Sequence, residues 1–303
     1  MTWEYIRANL IDPLAEFFED MHPNLPTKPD PKDSLSGSWF LHPSRHITEF
    51  FAFNAIFIPA ALYYNTKAWN RPSFLRDVDS KVATAKRQPI VDGIVFGLSA
   101  GSLTLILLHK YYRNSMIYML QPCHMSCIAM MYFIWANPKK RSTHTYFNIY
   151  ITIMWGGWLA MLTPDMRGLH LFLEPEVFWA EHILVSVVPL VLAITKRFII
   201  YPLSFDFVMA SFLVFALYHS IFLSGLALLT SYNLNYVMHP PLGPLEYFGQ
   251  NFRPAMYAFC CVLTFAFRGI FVEGVYRVGT LLVDKIKTVL GAEWALPKGR
   301  KKK

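Results

Sequence analysis

Three kinds of group in this chain could move an acyl chain if they met: a cysteine thiol, an imidazole and a set of hydrogen-bond donors. The densest cluster is Gln121-Pro122-Cys123-His124. Proline lacks a backbone N–H and kinks membrane helices, freeing carbonyls and opening space beside it. A thiol directly after such a kink is well presented to a substrate. Further along, His182 follows Glu181, and His219 sits in Tyr218-His219-Ser220.

The chemistry open to such a set is nucleophilic acyl transfer. A thiol in apolar surroundings attacks poorly, because the thiolate is the nucleophile. An imidazole within hydrogen-bond reach takes its proton or stabilises the thiolate. Attack on a lipid ester would leave a thioester on Cys123, which an incoming hydroxyl, deprotonated by the same histidine, would collect. A poorly hydrated pocket favours transfer over hydrolysis. The oxyanion needs donors; Asn233 and Asn235 are candidates, and nothing selects them over backbone N–H groups.

Each group also has a structural reading. A lone membrane histidine is more often an interhelical hydrogen-bonder than a base. Cys127, one turn from Cys123, and the pair Cys260-Cys261 read as packing residues. Attachment of c-type haem requires C-x-x-C-H, and no second pair at zinc spacing follows, so no metal site is expected. Met116, Met119, Met130 and Met131 either line an acyl groove or fill gaps in the core.

The elements that must position these groups are membrane helices. Of the 303 residues, 54% are hydrophobic, 16% aromatic and only 16% charged. The apolar residues fall in runs near the ~20 residues that a bilayer demands. An all-α integral membrane bundle of about seven transmembrane helices is expected, with spans near 47–66, 90–109, 116–136, 145–162, 179–199, 205–229 and 253–271. Three parts follow. Residues 1–46 are an interfacial amphipathic segment and linker, 47–271 the membrane domain, and 272–303 an amphipathic helix with a basic tail.

In the first part, Trp3, Ile6, Leu10, Leu14 and Phe17 recur at helical spacing, and Asp12-Pro13 reads as a cap followed by a first-turn proline. The segment either lies on the membrane or packs against the bundle. In the last part, Val278, Leu281, Leu282, Ile286 and Val289 make a second amphipathic face. No internal repeat supports a transporter built from inverted halves. No cleavable signal peptide is expected.

The net charge of +8 is carried between apolar runs and in the tail, which argues for lipid headgroups and against nucleic acid. With the N-terminus outside (lumenal), 20 of the 28 lysines and arginines face the cytosol, so the positive-inside rule favours a cytosolic C-terminus. On that topology Cys123, His182 and His219 lie ~5–15 Å below one face and could meet in one leaflet. Lys301 resembles part of a dilysine retrieval signal of the endoplasmic reticulum, with Arg300 in place of the usual lysine.

Ile117 to Met125 resembles the Asn-Pro-Cys-His segment of the transmembrane protein 164 family, with Gln121 where asparagine is expected. Glu181-His182-Ile183 followed by Val187-Val188-Pro189 is similar to that family's Gln-His and Val-Val-Pro segments. Phe215 to His219 and Leu229 to Asn235 resemble its Phe-Tyr-His and Val-Thr-x-x-Asn-Leu-Asn segments.

The resemblance implies a lipid acyltransferase of endoplasmic-reticulum membranes. It would move polyunsaturated acyl chains from a donor phospholipid to a lyso (ether) phospholipid. Cys123 would be the nucleophile and His182 its base, with His124, His219 and Asn235 as second-rank candidates. No cofactor is expected with a phospholipid donor, and no protein partner is implied. The rivals are a hydrolase of lipid esters and a non-enzymatic receptor or transporter. A receptor is disfavoured by the absence of Asp-Arg-Tyr after the third span and of Asn-Pro-x-x-Tyr in the seventh.

Overall fold

A bilayer core of ~30 Å asks for helices of ~20 apolar residues, and five described runs meet that need. They are Pro43–Ala68, Pro89–Tyr112, Glu174–Ile194, Phe205–Thr230 and Pro244–Ile286. The structure is a computed structural model that describes residues 2–69 and 88–289. Among these residues the only β pairing is one isolated bridge between Ser36 and Tyr232. The protein is therefore an all-helical integral membrane protein. The basic run Lys298 to Lys303 and its retrieval-signal likeness lie outside the described residues.

We label the helices α1 (Trp3–Ile6), α2 (Asp12–Met21), α3 (Pro43–Trp69), α4 (Pro89–Tyr112), α5 (Pro122–Trp135) and α6 (Arg141–Ile153). They continue as α7 (Trp155–Leu162), α8 (Glu174–Ile194), α9 (Phe205–Leu217), α10 (Ser224–Thr230), α11 (Phe252–Ala266) and α12 (Glu273–Val289). A π turn at Tyr218–Leu223 joins α9 to α10, and another at Phe267–Val272 joins α11 to α12.

Two of the seven expected spans are broken. In the third, a 3₁₀ turn at Met116–Leu120 precedes α5. Gln121 between them is extended (φ −61°, ψ 145°), as a residue before proline tends to be. At 14 residues α5 is ~21 Å long, too short to cross alone. In the fourth, the helix stops at Met154, and α6 and α7 are separate pieces. A Cβ added at Gly157 would sit 2.6 Å from Ser186 Oγ, so the glycine lets α7 lie directly against α8.

The N-terminal segment departs from the expected cap. Asp12 is itself helical (φ −65°, ψ −44°), and a π turn at Arg7–Ile11 carries α1 into α2. That wider turn accommodates the N–H that Pro13 lacks. Ile11 and Ala15 are buried, and Ile11 joins Trp39, Ile47, Tyr118 and Leu223 in one cluster. His22 Nε2 donates to Leu228 O (3.0 Å). The segment is docked on the bundle by one face, while Trp3, Leu10 and Phe17 stay exposed on the other. At the other end of the chain, Val278, Leu281, Leu282 and Ile286 likewise leave an apolar face uncovered on α12.

The main core packs Met130, Phe133, Phe147, Ile151, Trp155 and Phe212 between two polar ends. At one end Arg197 pairs with Asp92 and also donates to Ile134 O. Beside it Asn148 bonds Ile199 O (2.7 Å), and Arg268 donates to Tyr201 O (2.5 Å) and Glu273 (3.0 Å). These side chains direct donors to carboxylates and to carbonyls at the end of α5 and in the segment between α8 and α9, which a membrane requires to be satisfied internally. At the opposite end lie the chain reversals between α4 and α5, α7 and α8, and α10 and α11, tied to the linker before α3. Gly37 N donates to Ser231 O (2.9 Å), and Asn233 N to Leu35 O (2.8 Å). The residues singled out for chemistry sit at this second end.

Candidate active site

Pro122 starts α5 rather than kinking it. A proline at the first helical position gives up an N–H that would have no partner there. Cys123 and His124 follow within the first turn, and the first intrahelical bond is Met125 N to Gln121 O (3.1 Å). No side chain caps this end. The N–H groups of Cys123 and His124 therefore lack an intrahelical acceptor, and the helix dipole places partial positive charge beside the thiol.

Facing α5 is α8, whose inward residues form two adjacent stripes. Glu174, Val177, Glu181 and Val185 recur at three- and four-residue spacing, as do His182, Ser186, Pro189 and Ala193. Consecutive residues Glu181 and His182 thus both point into the bundle. Glu181 is 1% exposed and His182 4%. Seating of Gly157 on Ser186 and Val185 fixes the rotation of α8 that presents them.

The four side chains converge. Cys123 Sγ, a Glu181 carboxylate oxygen and a His182 ring nitrogen all lie within 4.8 Å of one another. His124 Nδ1 is 2.8 Å from Glu181 Oε1 and 3.7 Å from Cys123 Sγ. Cys123 Sγ is also 3.9 Å from Gln121 Oε1. His182 Nδ1 is 2.7 Å from Phe178 O, and its ring rests on the Phe178 ring at a centroid distance of 4.3 Å. Cys123 as a residue is half-buried.

These contacts assign protons by elimination. A carbonyl oxygen only accepts, so His182 Nδ1 carries a hydrogen, and in the neutral ring Nε2 keeps the lone pair. A carboxylate likewise accepts from His124 Nδ1, which is then no base towards Cys123. His124 is suited to stabilising negative charge on sulfur, and His182 to taking and returning a proton. His124 Nε2 is buried without a hydrogen-bond partner.

The remaining candidates fall elsewhere. His219 Nδ1 meets Tyr257 OH (2.9 Å) and its Nε2 donates to Asn235 O (3.1 Å), so both nitrogens are spent. Asn235 is left-handed (φ 50°) and contributes its carbonyl to that bond. Asn233 organises its own loop, accepting from Met238 N (2.9 Å) and donating to His239 Nε2 (2.9 Å). Cys127 is fully buried beneath the site, with Sγ 3.9 Å from Ser99 O. Cys260 is buried and Cys261 half-buried, both within the main core.

Sequence reasoning passed over Glu181. Its signal was there: a carboxylate inside an apolar run costs free energy and asks for a reason. The sequence also gave no hint that Cys123, Glu181 and His182 together offer donor types that zinc accepts.

The chain matches the TMEM164 family over residues 33–271. It is 23% identical over 257 residues to the Transmembrane protein 164 homolog of Dictyostelium discoideum, covering 82% of this chain and 88% of that relative. No solved structure matches.

Proposed function

The chain belongs to the TMEM164 family of membrane proteins, and from that premise we propose that it is a cysteine-dependent lipid transacylase. The observation that carries this reading is the convergence of Cys123 with two histidines held by different partners, one facing Glu181 and one held on Phe178 O. His182 Nε2 takes the Cys123 proton, and the sulfur attacks an ester carbonyl of a donor phospholipid. A C–S bond forms, the C–O bond breaks, and the departing lysolipid alkoxide receives its proton from His182. A lysophospholipid hydroxyl then attacks the thioester with His182 again as base. The C–S bond breaks, and the departing thiolate takes the proton back from His182. The N–H groups of Cys123 and His124, which have no intrahelical acceptor, serve in this reading as donors to the developing oxyanion. The acceptor in this reading is a lyso (ether) phospholipid and the acyl chain polyunsaturated, as the family resemblance implies. The setting is the endoplasmic reticulum, with about seven crossings, the N-terminus lumenal and the C-terminus cytosolic.

The test uses the purified protein in mixed micelles with a phospholipid isotopically labelled in its acyl chain and an unlabelled lysophospholipid. Label in the acceptor supports transfer. Label only in free fatty acid would make the protein a hydrolase, and no label movement would return it to the receptor or transporter class.

A second reading rests on the donor set of Cys123, Glu181 and His182, which would hold a zinc ion that could supply Lewis-acid activation for ester hydrolysis. Metal analysis of the purified protein separates the two. The covalent reading expects less than one metal per chain and transfer unaffected by chelator.

A further inference from the structure

Lys110 stands in the last turn of α4 and is only 8% exposed. A buried ammonium is costly unless paired. Yet its nearby carboxylates are engaged elsewhere. Glu174 accepts from Arg113 Nη2 (2.6 Å), His170 N (2.9 Å) and Leu171 N (3.0 Å). Glu181 accepts from His124 (2.8 Å). What Lys110 has is the face of Tyr118, with Nζ 5.3 Å from the ring centroid, and the favourable dipole of its own helix end. Tyr118 stands five residues before Cys123, and the Lys110 charge interacts with those of Cys123, Glu174 and Glu181.

Depth adds the second strand. Tyr111 and Tyr112, adjacent to Lys110, are 73% and 76% exposed, the pattern of an aromatic belt at headgroup level. From Lys110 the chain reverses through residues 113–121 and enters α5, whose first turn carries Cys123. A buried cation at headgroup level therefore neighbours a nucleophile just inside it. Glycerophospholipids are ordered the same way, with the phosphate outermost and the ester carbonyl a few ångströms beneath it.

We propose that Lys110 receives the phosphate of the lipid substrate and so holds its glycerol ester against Cys123. The phosphate is common to donor phospholipid and lysophospholipid acceptor, so one cation serves both half-reactions. An ammonium suits this use, because it binds phosphate as a point charge with freely rotating donors. The proposal rests on the transacylase reading for the ester it positions, but the binding of phosphate can be measured without turnover.

The experiment measures equilibrium binding to the full chain carrying Cys123→Ala in uncharged detergent, read by native mass spectrometry. The probes are a lysophospholipid and a monoacylglycerol with the same acyl chain. The lysophospholipid binds tighter, and adding Lys110→Gln weakens it about tenfold or more, as for a lost charge-assisted bond, with monoacylglycerol unchanged. Lys110→Arg keeps the preference. Equal loss for both lipids, or loss for neither, would overturn the proposal. If Lys110→Gln does not fold, the comparison stands on Cys123→Ala alone, where equal affinity for the two lipids overturns it. Inorganic phosphate competing as well as lysophospholipid would assign the site to a soluble anion and overturn the lipid assignment. A failed thioester assay with the binding preference intact would sink the transacylase reading and leave this site standing. Thioester formation from phospholipid and diacylglycerol alike would do the reverse.

Discussion

His182 and His219 both lie buried in apolar helices near the same end of the bundle, and they differ in what their rings have left to give. His219 bridges Tyr257 OH and Asn235 O, so both nitrogens are committed and the ring ties the π turn after α9, α11 and the loop after α10 together. His182 Nδ1 is held by a carbonyl of its own helix, and a nitrogen of its ring lies within 4.8 Å of Cys123 Sγ and a Glu181 oxygen. The cysteines divide in the same manner. Cys260 sits buried in the apolar core, whereas Cys123 stands half-buried at a helix start with His124 3.7 Å away. In a membrane interior, where every polar group must find a partner inside the protein, a group held in place but not used up is the one to suspect of chemistry.

The largest effect that comparison predicts is on the thiols. Cys123→Ala lowers acyl transfer by ~10³-fold or more, as loss of a covalent nucleophile does. Cys260→Ala stays within about twofold of wild type in rate and costs only the stability of a small cavity. Comparable losses at the two positions, in the labelled-lipid assay, would erase the distinction.

The histidines come next. His182→Gln lowers kcat by ~10²–10⁴-fold, the usual span for a general base. His219→Gln leaves kcat within about threefold but lowers thermal stability, since two buried hydrogen bonds are disturbed at ~1–3 kcal/mol each. A kcat loss at His219 equal to that at His182 would merge the two regions into one site.

Glu181→Gln is expected to be milder. It exchanges a charge-assisted hydrogen bond to His124 for a neutral one, and a difference of ~1.4 kcal/mol in the transition state is about tenfold in rate. An unchanged rate would restrict Glu181 to packing.

The smallest effect is on stability and lies in the loop after α10. His239 donates from Nδ1 to Ser38 Oγ (3.2 Å), while its Nε2 accepts from Asn233 Nδ2 (2.9 Å). Burial, with the nearby Arg167 charge adding to it, pushes its pKa down to about 4. A proton on Nε2 would face an amide N–H. As pH falls from the ordinary histidine value of 6.5, the unfolded chain therefore takes the proton first. The stabilising contribution is full above 6.5 and is lost progressively down to about 4. The melting midpoint should drop by on the order of a few degrees over that window, and His239→Gln should flatten the slope. A slope that persists in the variant assigns it to other groups.

Much of this arrangement was legible in the sequence. Hydropathy alone marks the five long helices, because burial in lipid is a property of composition and length. The depth argument put Cys123, His182 and His219 at one level, and the structure groups the first two. Depth could not separate His182 from His219, since that depends on which partners each ring finds on other helices. Glu181 escaped for the same reason: its partner, His124, lies on α5. The breaks at Gln121 and Met154 escaped because an apolar count registers residues and not backbone hydrogen bonds. Pro122 was read as a kink and proves to be a helix start, a difference set by the extended Gln121 before it. The docking of α2 cannot be read from composition, because Ile11 and Ala15 look alike to a membrane and to a bundle.

The central claim is that Cys123 carries the acyl group, and intact-protein mass spectrometry after incubation with mixed phospholipids tests it most directly. The account predicts a hydroxylamine-labile mass gain of one acyl chain on the wild-type protein and none on Cys123→Ala. Acyl transfer that persists in Cys123→Ala, with the same adduct or with none, would contradict it.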